Sequence, residues 1–169
     1  GQYLKLCADI TYCYFLCYFH IIIKITMDIV IIGSGNVAAV LGRKFIAAGH
    51  YIVQIISRNA SAASKLAYEW DTVSSNYMSA VVNDADVYII AVPDDAIDEV
   101  ITDLKLPGKV VAHTAASVSK DVLKNVTEHS GVFYPLQSLR KEMTALPDVP
   151  IFIEGNDDKA KKVLEKLGH

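Results

Sequence analysis

Met27-Asp-Ile-Val-Ile-Ile-Gly-Ser-Gly-Asn-Val-Ala-Ala-Val-Leu-Gly-Arg-Lys-Phe-Ile-Ala-Ala-Gly49 is the stretch from which the rest of the chain can be read. Ile29 to Ile32 is a short apolar β-branched run, the composition of a central parallel strand buried on both faces. Gly33, Gly35 and Ala38 follow in G-x-G-x-x-A spacing. An amphipathic helix comes next, with Val37, Val40, Leu41, Phe45 and Ile46 on its apolar stripe and Gly49 placed to end it.

Each small residue answers a separate demand. Gly33 permits a sharp strand-to-helix turn, Gly35 lets a pyrophosphate approach the backbone, and Ala38 keeps helix and strand close. The unpaired amides of the first helical turn, at the positive end of the helix dipole, then face the phosphates. Glycine-rich turns are common, but one set between a buried strand and a capped helix points to dinucleotide binding. Gly33, Ser34, Gly35, Asn36 and Val37 are the expected pyrophosphate contacts.

Tyr51 to Ile56 reads as the second strand and ends in Ser57-Arg58-Asn59, about 20 residues past the glycines. A site for NAD usually has Asp or Glu there, to accept from the ribose 2′-hydroxyl. Here a hydroxyl and a guanidinium stand instead, and both suit a 2′-phosphate. Ser57, Arg58 and Asn59 are therefore expected to grip the 2′-phosphate of NADP. The alternative is that Asn59 or Ser61 caps the next helix, Arg58 is solvated, and NAD is the cofactor.

Further along, Ala60 to Trp70 reads as a helix, Thr72-Val73 as a short third strand and Tyr77 to Val82 as another short helix. Asp86 to Val92 is a fourth, buried strand stopped by Pro93. Val92, Pro93 and Asp94 then lie at the carboxyl edge of the sheet, where ligands of such sheets bind, and are expected near the cofactor; the other reading has Asp94 or Asp95 capping a helix to Leu104. Lys109 to Ala112 is the fifth strand and opens into His113, the catalytic candidate. Its reference pKa near neutrality would let it donate a proton as hydride arrives. A structural histidine is the alternative, with Ser117 or Ser119 capping a helix through Val126. Gly131 to Leu136 and Val149 to Glu154 are strands six and seven, with Tyr134 and Gln137 as weaker substrate contacts, and Asp157 to Leu167 is the last helix.

The alternation of strands and helices predicts an α/β fold, a doubly wound and mostly parallel sheet of order 3-2-1-4-5-6 with extra edge strands. At 169 residues and net charge −3, the chain is about one domain, with no basic run to attract nucleic acid. The three cysteines, Cys7, Cys13 and Cys17, all precede Met27 and show neither a disulfide framework nor C-x-x-C spacing, so no metal site is expected and a reducing, cytoplasmic location is. Gly1 to Thr26 differs in character from the rest of the chain. Its uncharged run Thr11 to Ile23 is short for a membrane span, and no cleavage-site pattern precedes Met27. A misassigned start or tag remnant is the favoured reading, ahead of an appended hairpin or a membrane role. The domain proper is then 27–169.

Four segments resemble a family of NADP-dependent oxidoreductases with a Rossmann-like amino-terminal domain, similar at a distance to pyrroline-5-carboxylate reductase and to deazaflavin-dependent NADP oxidoreductases. They are Ile32 to Ala38, Ala91 to Ile97, His113 to Val118 and Gly131 to Ser138, within a resemblance covering about Met27 to Glu154. It implies a helical carboxyl-terminal domain that completes the substrate cleft and forms a homodimer; that domain is expected to be absent from these 169 residues, which carry Ala115-Ala116 where relatives tend to have glycine. The function expected is NADP-dependent hydride transfer to a small carbonyl or imine compound, by this chain or with this chain as the cofactor-binding half. A non-catalytic NAD(P)-binding sensor is the main alternative. A methyltransferase-like domain is a third, disfavoured by the missing acid after the second strand.

Overall fold

The structure, a computed structural model, describes residues 26–143 and 148–169. Expectations for the extension before Met27, cysteines included, lie outside the described residues except at Thr26. Seven strands form one sheet: β1 (Asp28–Ile32), β2 (Tyr51–Ile56), β3 (Val73–Ser75), β4 (Val87–Ile90), β5 (Val110–His113), β6 (His129–Pro135) and β7 (Ile151–Gly155). Their order is β3-β2-β1-β4-β5-β6-β7. Strands β1 to β6 pair in parallel, and β7 pairs antiparallel with β6 at the edge. This is the expected Rossmann-like sheet with one extra edge strand.

Successive residues of β1 point to opposite faces, so its apolar run feeds two cores. Ile29 and Ile31 join a cluster with Leu41, Phe45, Leu66 and Leu164, contributed by the helices α1 (Asn36–Ala47), α2 (Ala60–Glu69) and α4 (Asp158–Gly168). Val30 and Ile32 join another with Tyr88, Ile90, Leu104 and Leu123, on the face covered by α3 (Ile97–Thr102) and short connecting turns. A fully buried side chain of this size contributes about 1.5–3 kcal/mol, so a strand buried on both faces anchors the fold.

Helix α1 ends as the sequence suggested. Gly49 has φ +89°, and the amides of Gly49 and His50 donate to the carbonyls of Ile46 and Phe45, the pairing of a Schellman cap. Its stripe is corrected at one position. Ala38, Ala39, Val40, Leu41, Gly42 and Phe45 are buried, and Ile46 falls outside this set at 38% exposure.

Three expected helices are shorter or tighter than expected. The segment near Tyr77 is a 3-10 turn over Met78–Ala80, and that before Val126 is a 3-10 stretch over Lys120–Asn125. The helix expected to reach Leu104 starts as a 3-10 turn over Asp94–Ala96 and ends at Thr102. Such short connectors gain too few propagating hydrogen bonds to offset helix nucleation, and the tighter turn suffices to carry Leu104, Leu123 and Val126 onto the sheet.

Candidate functional site: a cleft at the strand-order reversal

The carboxyl edge of the sheet opens where the strand order reverses, between β1 and β4. A cavity of about 750 Å³ lies there, within the usual range for a cofactor or small-ligand site. Its floor is the glycine turn. Gly33 has φ +125°, its amide donates to Ile56 O at 2.7 Å, and a Cβ at this position would lie 2.0 Å from Ala91 O. Only glycine lets β1 turn so close to the end of β4. Gly35 is different: a Cβ there would meet nothing within 4 Å, so its absence leaves space above the backbone rather than relieving a clash.

The helix that starts at this point is open. Gly35 is the N-cap of α1, no side chain caps the helix, and the first turn holds no acidic residue. Amides of a first turn have no intrahelical partner, so this end presents donors and a positive dipole to the cavity. The backbone and space at Gly33 to Val37 thus fit a pyrophosphate. Asn36 Oδ1 accepts from the Lys141 amide at 3.1 Å, which anchors this side chain at the start of the helix.

The end of β2 forms a second wall. Ser57 Oγ lies 2.7 Å from Ser34 Oγ and accepts from the Asn59 amide at 3.3 Å, tying this wall to the glycine turn. Asn59 caps α2, its Oδ1 accepting from Ala62 N at 3.0 Å. Arg58 is not simply solvated: its Nη1 donates to Glu99 Oε2 of α3 at 2.7 Å. Glu99 also lines the cavity, as do Asp94 and Asp103, so among the described lining residues Arg58 is the cation set against three carboxylates.

The far wall comes from the ends of β4, β5 and β6. Ala91, Val92, Pro93, Thr114 and Tyr134 line it. Asp94 caps no helix; its Oδ2 accepts from Ser117 Oγ at 2.6 Å and joins two loops of the cavity edge. Ser119, not Ser117, caps the following turn by accepting from Asp121 N.

Gly33, Ser34, Gly35, Asn36, Val37, Ser57, Arg58, Asn59, Val92, Pro93 and Asp94 all line this one cavity. His113, the expected proton donor, does not. It is 0% exposed, its Nδ1 accepts from Ala115 N at 3.2 Å, and its Nε2 faces Ser119 O at 3.3 Å. Burial holds its pKa below the ordinary histidine value, only partly opposed by the Ser119 carbonyl and Asp94. Both ring nitrogens are thus engaged by the backbone of the loop after β5.

Sequence reasoning missed Asn76, Met78, Glu99, Val100 and Asp103. Glu99 and Asp103 come from α3 and its end, and no local pattern in the sequence marks them as cleft residues. Among the described residues no helix is long and apolar enough to cross a membrane, and no group of three or more His, Cys, Asp or Glu side chains could hold a metal ion.

Strand, glycine turn, open helix end and switch-point cavity together define a Rossmann-like domain of the pyridine-nucleotide oxidoreductase class. Residues 28–117 match the sequence model of the family described as NADP oxidoreductase, coenzyme F420-dependent, and the chain belongs to that family. Among solved structures, a Bacteroides fragilis protein provisionally assigned as an NADP oxidoreductase is similar at 27% identity and TM-score 0.74, over 85% of this chain and 57% of that one. The 1-pyrroline-5-carboxylate reductase of Streptococcus pyogenes aligns at 16% identity and TM-score 0.68, over 85% of this chain and 55% of that one. Arogenate dehydrogenase of Synechocystis aligns at 18% and TM-score 0.63, over 84% and 57%. The last two show the fold alone, and the chain spans a little over half the length of these proteins. No curated protein matches the chain with significance.

Proposed function

We propose that this chain is the cofactor-binding half of an NADP-dependent oxidoreductase that delivers hydride to a small carbonyl or imine compound. The observation that carries the reading is the uncapped start of α1 on the cavity floor, with open space above Gly35 and Ser57 and Arg58 on the adjoining wall. Amides of Ser34 to Val37 hold the pyrophosphate, and the Ser57 hydroxyl and Arg58 guanidinium take the 2′-phosphate. Asn59 supports this wall as the α2 cap. Val92, Pro93 and Asp94 flank the nicotinamide end with Thr114 and Tyr134. The bound dinucleotide supplies the hydride; the chain's residues orient it and exclude water from one side.

A helical partner domain, from the remainder of a longer chain or a second copy in a homodimer, closes the substrate side. The burial of His113 away from the cavity supports one second reading, a non-catalytic NAD(P) sensor. A parallel fluorescence titration with NADPH and NADH tests the proposal. Micromolar NADPH binding is expected; binding of neither dinucleotide would overturn it. Hydride transfer to a panel of small carbonyl and imine acceptors then separates enzyme from sensor.

A further inference from the structure

Arg58 and Glu99 come from different elements of the cavity wall, the end of β2 and the start of α3, yet they pair at 2.7 Å. Their side chains are 70% and 67% exposed. An exposed pair of this kind adds little to the stability of a fold and opens readily. Its significance lies in its place. The end of β2 carries no acid, and α3 brings a carboxylate to the guanidinium that a 2′-phosphate would need.

On the reading that this cavity binds a pyridine dinucleotide, we infer that Glu99 is a specificity-determining residue that competes with the 2′-phosphate for Arg58. A 2′-phosphate at Arg58 competes with Glu99 for the guanidinium, which Glu99 holds through Nη1, and brings up to two negative charges close to that carboxylate. Asp94 and Asp103 line the same cavity and add to that field rather than relieve it. NAD brings a 2′-hydroxyl, which leaves the pair intact. Glu99 therefore draws preference back toward the unphosphorylated cofactor, from a helix where a search for an acid at the end of β2 does not look.

The experiment is a titration of the full chain and its Glu99→Gln variant with NADPH and with NADH. The substitution should tighten NADPH by about 3- to 10-fold, the scale of losing one exposed like charge and one competing pair, and leave NADH within about 2-fold. In an Arg58→Gln background the gain should shrink. Thermal melting of each variant, expected within about 2 °C of the parent for changes at an exposed pair, verifies that the fold persists. Weaker NADPH binding in Glu99→Gln would make Glu99 a positioning partner of Arg58 and overturn the inference. So would an equal change for both dinucleotides. Either result with NADPH still bound by the parent leaves the cofactor-binding proposal standing, whereas a parent that binds neither dinucleotide removes both.

Discussion

Gly33 and Gly35 are two residues apart and serve opposite purposes. At Gly33 a side chain collides with backbone, since the Cβ position lies 2.0 Å from Ala91 O and φ is +125°. Gly33→Ala should therefore destabilise the fold by roughly 2–4 kcal/mol, combining overpacking with a strained backbone. At Gly35 the Cβ position is open and φ is an ordinary −83°. Gly35→Ala should cost stability no more than about 1 kcal/mol, yet weaken NADPH binding at least about tenfold, because the methyl occupies the space assigned to the pyrophosphate. Urea denaturation and cofactor titration on the two variants separate the roles. Equal effects on stability would contradict the division, and undiminished NADPH binding in Gly35→Ala would take the pyrophosphate away from this turn.

Among the elements, α1 is held from both sides. Arg43 makes a bidentate pair with Glu69 of α2, at 2.6 and 2.9 Å, and its Nη1 donates to the Lys141 carbonyl at 2.5 Å. The Lys141 amide is held by Asn36, at the cavity end of the same helix. Leu139 and Val149 pack on Val40, so the described parts of the β6–β7 connection, 136–143 and 148–150, strap the helix that carries the glycine turn. Arg43→Met keeps the aliphatic stem and removes the polar anchors. It should lower stability by about 1–2 kcal/mol, the lower part of the range for charged hydrogen bonds because Glu69 is substantially exposed. Amide hydrogen exchange should quicken at Arg140 and Lys141 more than in β1. Uniform exchange across the molecule would show that the strap adds nothing local.

At the scale of the whole molecule, the two buried histidines set a pH dependence. Burial lowers the pKa of His113, and burial, with Lys166 nearby, lowers that of His50, whose Nδ1 accepts from Met27 N. The unfolded chain takes up these protons below about pH 6.5 while the folded chain still refuses them, so it binds more protons in that window and stability falls with the pH. The contribution is fully present above pH 6.5. It is lost as pH descends through the lowered folded values. Glu69, paired with Arg43, and Asp157, bonded to Ala160 N and His129, also have lowered values, but their loss begins only near the lower carboxylate range. Denaturation free energies at pH 7.5, 6.5 and 5.5 should therefore decline, and His113→Asn should flatten that decline. A flat profile in the parent would mean that the rings open to solvent at little cost.

The sequence alone determined the strand order, the glycine turn and the cap at Gly49. Each rests on local stereochemistry or on a hydrophobic pattern that leaves the chain few alternatives. Gly33 and Gly49 stand where φ is positive, and the apolar runs of β1 and β4 are long enough to mark strands covered on both faces. Tertiary structure decided the rest. A strand buried on both faces shows no alternation, so nothing in Val110 to His113 tells which side chain turns to the cleft. Whether His113 met cofactor or the Ser119 carbonyl depended on how the next loop folded back. Glu99 reaches Arg58 across 41 residues only because the sheet places α3 beside the end of β2. Long-range pairings of this kind follow from packing of the whole domain, and no spacing within either segment encodes them.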